Sequence, residues 1–161
     1  MLGLLVACRR ESPPSPSVAA STASIKPAVS SAGEAFPGEL AYQEAKRHIR
    51  ERDLRAAIQS LQQAIDANPE FAEAWYQLGA AKANLAIEQV RFDEHAAVQL
   101  FREGVEAKKQ ALHLMSLGKC YVWDEAKRKQ AWADLQEALR GVDEVLADQR
   151  MTVAALKSYA R

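Results

Sequence analysis

The sequence predicts an all-α protein, and three observations carry that prediction. From residue 39 onward the apolar residues recur at spacings of three and four, with no sustained strict alternation, as amphipathic helices require. Aspartates stand ahead of three of these stripes, where a helix N-cap belongs. Five of the six prolines (Pro13, Pro14, Pro16, Pro27 and Pro37) precede residue 38, so the 124 residues of 38–161 contain Pro69 alone.

The helical stretch from residue 39 opens the series. Asp53 then caps a helix whose stripe is Leu54, Ile58, Leu61 and Ile65, and Asn68-Pro69 ends it. Phe71, Trp75, Leu78 and Leu85 begin the next stripe, and Asp93 caps another carrying Val98, Phe101, Val105 and Leu112. After Gly118, the piece Lys119-Cys120-Tyr121-Val122-Trp123 has no clear period. Asp124 caps a helix striped by Trp132, Leu135, Leu139, Val142 and Leu146, and a last helix covers Met151 to Tyr159. The expectation is about six helices in antiparallel hairpins joined by short turns.

Composition narrows the function classes. With 21 basic and 21 acidic side chains and a pI near 6.8, the chain lacks the cationic surplus of a phosphate-binding surface, so no nucleic acid is expected. No apolar run approaches the roughly 20 residues that span a bilayer. Two cysteines make neither a disulfide scaffold nor a zinc site. In residues 9–37, 19 of 29 positions are Pro, Ser, Thr or Ala, too few large apolar groups to offset the entropy of ordering. Residues 9–37 are therefore expected to be a disordered tether, and 38–161 the folded domain.

Ahead of the tether, Leu5-Val6-Ala7-Cys8 resembles a bacterial lipobox: aliphatic, small, small, then the cysteine that is diacylated on its thiol. That resemblance makes 1–8 the remnant of a lipoprotein signal peptide and Cys8 the lipidation site. Seven residues precede Cys8, fewer than a signal peptide needs, so a start further upstream is implied. Arg9 rather than Asp after the cysteine is similar to the default for export to the outer membrane, facing the periplasm. The rival reading is a cytoplasmic protein whose apolar start and Cys8 are incidental.

Within the helical part, Ala57-Ile58, Leu61 and Ala64-Ile65 match Ala97-Val98, Phe101 and Gly104-Val105 in spacing. The first halves align through Ala41/Trp75 and Ala45/Gly79, with six extra residues in the second copy. On Ala57, Leu61, Ala64, Pro69, Trp75, Leu78, Gly79, Ala97, Phe101 and Gly104 the chain resembles the tetratricopeptide repeat (TPR), a 34-residue helix–turn–helix. The resemblance implies a right-handed helical array in which small residues let paired helices cross closely. His48 and Lys82 replace aromatics of the pattern, Glu44 a large apolar residue, and Lys109 the closing proline. Residues 112–161 hold no clean third copy, and are expected to cap the array.

Catalytic constellations are sparse, so no enzyme is expected. His48, His95 and His113 have no ligand spacing, and the scattered glycines form no phosphate loop. His95 beside Asp93-Glu94 reads first as a solvated helix start, and Cys120 as a buried structural thiol. Lys127-Arg128-Lys129 and Lys108-Lys109 alternate with acidic residues, the usual solvated face. No cofactor or metal is implied.

The TPR resemblance implies a concave groove lined by the first helix of each repeat. Tyr42 and Tyr76 would occupy matching positions there, beside Glu39, Lys46, Ile49, Glu73, Ala80, Ala83 and Asn84. Tyrosine joins apolar area to a polar tip, which suits a peptide-binding surface. Equally open is that both tyrosines pack against the tether or the C-terminal helices. The Lys/Asn clamp by which some TPR domains hold a terminal carboxylate is not built here, because Tyr42, Lys46, Tyr76 and Ala80 stand in its place. The function expected is a non-catalytic envelope lipoprotein, anchored only by lipid, that adapts one protein to another. The second reading is a small-ligand-binding helical component of a solute transporter, similar in architecture to the TPR-like lipoproteins of tripartite transporters.

Overall fold

The computed structural model describes residues 36–160. Among them are seven helices: α1 (Glu39–Arg50), α2 (Leu54–Ala67), α3 (Ala72–Gln89), α4 (Glu94–Ser116), α5 (Glu125–Leu139), α6 (Val142–Ala147) and α7 (Gln149–Tyr159). Asp53, Asp93 and Asp124 cap α2, α4 and α5, each accepting the N–H three residues on at 2.8–3.0 Å. Asp148 caps α7 by accepting the Arg150 N–H, two residues on, at 2.7 Å, a cap the sequence had not singled out.

The chain folds as successive hairpins, α1 against α2, α2 against α3 and α3 against α4. One apolar cluster joins Tyr42 and Ala45 of α1, Leu61, Ala64 and Ile65 of α2, and Phe71, Ala74 and Leu78 around α3. Phe36, placed in the tether by composition, packs on this cluster, so the ordered domain begins before Gly38. A second cluster gathers Ala86 and Val90 with Phe101 and Val105 of α4, Val142 of α6 and Leu156 of α7. The six extra residues of the second repeat copy appear as helix: α3 has 18 residues where α1 has 12.

Two expectations are corrected. The helix expected to run from Asp124 past Leu146 stops at Leu139, because Gly141 turns left-handed (φ 70°) and redirects the chain into α6. The count is therefore seven rather than six. Trp75 and Trp132, whose places on apolar stripes predict core positions, are only half-buried, and the Trp75 indole N–H donates to the Pro69 carbonyl at 2.9 Å.

Residues 142–159 fold back onto the second hairpin. Leu156 is 1% exposed, and α7 packs on both α3 and α4. Polar ties accompany it: Lys157 to Glu94 at 2.5 Å, Lys109 to Asp143 at 2.8 Å, and the Arg102 guanidinium to the Leu146 carbonyl at 2.9 Å.

Candidate functional site

Helices α1 and α3 bring the expected groove residues to one region, but not all to its surface. Tyr42 is 1% exposed with its ring 4.8 Å from that of Phe71, and Glu73 is fully buried. These two do not line an open groove as expected. The cause is the segment between α4 and α5, Lys119 to Trp123, which lies across them.

Glu73 stands in the first turn of α3 and its Oε1 accepts three consecutive backbone N–H groups. Those of Tyr121 and Val122 lie at 2.8 Å and that of Trp123 at 3.1 Å. The Ala72 N–H donates to the Lys119 carbonyl at 3.2 Å, and the Lys119 ammonium pairs with Glu70 at 2.9 Å. The second carboxylate oxygen of Glu73 is buried with no hydrogen-bond partner among the described residues. A buried carboxylate is costly unless it is bonded, and here one oxygen carries the whole compensation.

Aromatic rings complete the arrangement. Trp123 meets the Tyr76 ring edge-on at 5.0 Å, while Tyr121 lies 5.3 Å from Phe36 and 5.8 Å from Phe71. Among the described residues, Tyr42 meets Phe71, ahead of α3, and Tyr76 meets Trp123, between α4 and α5, rather than the tether or the C-terminal helices. The Lys46 ammonium lies 5.9 Å from the Tyr42 ring centre. Glu39, Lys46, Ile49, Ala80 and Asn84 are half-buried, and Ala83 belongs to the second core cluster.

Burial, then the charge of Glu73, holds the Tyr42 phenol well above its usual range, although the Trp123 and Gln77 side chains hydrogen-bond to it. Burial also pushes the Cys120 thiol up to about 11, with Glu73 adding to the shift and Arg128 opposing it. That shift keeps the thiol in its neutral, weakly nucleophilic form at neutral pH.

The sequence had no period for 119–123 and gave Glu73 no partner. The available signals were an acidic residue amid Phe71-Ala72-Glu73-Ala74-Trp75, and the Tyr121-Val122-Trp123 triplet in a turn. Cys8 lies outside the described residues. Among the described residues no group of three or more His, Cys, Asp or Glu could hold a metal ion, and no helix is long and apolar enough to cross a membrane. A surface cavity of about 570 Å³ between the starts of α4 and α7 is lined by Glu94, Asp148, Arg150, Lys157, Val153 and Ala154.

No curated protein and no solved structure matches the chain. Residues 53–85, which span α2 and α3 as far as Leu85, match the family model of the TPR repeat. TPR repeats are interaction modules for other proteins and peptides, and this chain is a TPR-like helical protein.

Proposed function

We propose that the protein is a non-catalytic adaptor that recruits another protein through the face formed by α1 and α3, held at a bacterial envelope membrane by a diacylated Cys8. The supporting observation is the repeat match at 53–85, with α1 packed on its α2 and α4 packed on its α3. Glu39, Lys46, Ala80 and Asn84 form the half-buried rim on which such a partner docks. The Pro/Ser/Thr/Ala-rich composition of the sequence between Cys8 and Phe36 suits a spacer that would give the domain reach from the membrane. Two acyl chains, at about 0.8 kcal/mol per buried CH₂, hold a protein on a membrane firmly.

The test joins the full chain behind a complete lipoprotein n- and h-region ending at Leu5-Val6-Ala7-Cys8 and expresses it in a bacterium with an alkyne fatty acid. Label and membrane fractionation present in wild type and absent in Cys8→Ser support the anchor; label unaffected by Cys8→Ser removes it. A Lys46→Glu/Asn84→Arg variant with an unchanged circular dichroism spectrum should lose a partner that wild type retains. Equal retention places recognition on another face.

A further inference from the structure

We propose that Lys119–Trp123 is a displaceable internal plug, and that the partner presents an extended segment of like chemistry, with aromatic side chains two residues apart. This inference rests on the adaptor reading above. The plug displays what the site accepts. One carboxylate oxygen, Glu73 Oε1, takes three successive main-chain N–H groups, a contact that reads backbone and not side-chain identity. Specificity falls to the rings, with Tyr121 beside Phe71 and Trp123 on Tyr76.

The plug is held incompletely. Tyr121 and Val122 remain 43% and 38% exposed, and the following α5 buries only Ala131, Leu135 and Ala138. Glu73, fully buried, keeps one oxygen without a partner among the described residues, so the plug leaves unused an acceptor that another segment can fill. A partner segment that supplies the same N–H groups and rings exchanges for the plug with the donors of Glu73 replaced one for one. Covalent attachment gives the plug the advantage of effective concentration, so the free chain is closed and its apparent affinity is lowered by the fraction open.

The probe is a fluorescein-labelled peptide reproducing residues 117–125 with serine in place of the cysteine, titrated by anisotropy into the full chain. A Tyr121→Ser/Trp123→Ser variant, with its plug weakened and Glu73 intact, should bind it at least about tenfold tighter than wild type. Adding Glu73→Ala should remove that gain. A folded variant that binds no better than wild type, or a gain that survives Glu73→Ala, overturns the proposal. Should the variant lose its helical spectrum, the full chain carrying only Cys8→Ser serves instead. Saturating peptide should then speed iodoacetamide labelling of Cys120, and an unchanged rate overturns the plug. A cellular partner retained equally by wild type and the opened chain keeps the adaptor reading and sinks the plug. Peptide binding by the opened chain without any recovered partner does the reverse.

Discussion

Gly79 of α3 and Gly104 of α4 meet backbone to backbone: a Cβ placed on Gly79 would stand 2.8 Å from the Gly104 carbonyl oxygen and 2.6 Å from Lys108 Cγ. The reverse approach is looser, with a Cβ on Gly104 lying 3.0 Å from the Gly79 oxygen. Two small positions of the repeat pattern thus let α3 and α4 approach closely, and Lys82 reaches beside them to Glu103 at 2.7 Å.

Gly79→Val should therefore destabilise the fold by about 1–3 kcal/mol, because the contact is with main chain that cannot swing aside. Gly104→Ala should cost less, since its tightest contact is longer and alanine gains helix propensity. Urea midpoints of the two variants check the order. Equal midpoints would show that the helices shift apart freely.

Arg52 and Gly118 occupy the same place in two helix ends. Each follows a C-cap with positive φ, 62° and 73°, and each turn carries the paired bonds of a Schellman motif: Asp53 N–H to His48 and Arg52 N–H to Ile49, Lys119 N–H to Leu114 and Gly118 N–H to Met115. Arg52→Gly should raise stability by up to about 1 kcal/mol, and Gly118→Arg should lower it by about 1–2 kcal/mol. Thermal melts read both; a fall for Arg52→Gly would contradict the left-handed strain.

Glu73→Ala removes the shared acceptor of three N–H groups and should cost about 2–3 kcal/mol. Hydrogen exchange at Tyr121, Val122 and Trp123 should accelerate together, while amides in α2 keep their protection. Glu73→Gln, which keeps one carbonyl acceptor of the same shape, should fall between alanine and wild type.

The Cys120 thiol, raised to about 11 from an ordinary 9.0, is favoured in its neutral form by the fold. Its contribution to stability is complete below pH 9.0 and is lost as pH rises through about 11, because the unfolded chain releases the proton first. In a Cys8→Ser background, iodoacetamide labelling of the native chain at pH 8 should be about a hundredfold slower than in urea, the ratio of thiolate fractions. Labelling at equal rates in both states would show the thiol to be exposed.

Much of the helical frame is local chemistry, and the sequence carried it. Asp53, Asp93 and Asp124 cap helices as read, because a cap needs only its own next three residues. The repeat spacing marked Gly79 and Gly104 as small positions for a related reason, since a periodic pattern keeps small residues on one helix face, but it was the structure that set the two against each other. The break at Gly141 was missed because the apolar stripe continues across it; the glycine permits the left-handed turn, and the packing of Val142 and Leu156 into one cluster favours turning over extending. Tertiary structure alone decided the fate of the groove. Tyr42 and Glu73 are buried, and 119–123 is bonded to Glu73 across 48 to 50 residues of chain. Such contacts depend on the path of the chain after α4, which no local spacing encodes, and an acceptor for main-chain N–H groups is blind to the side chains by which a sequence is read.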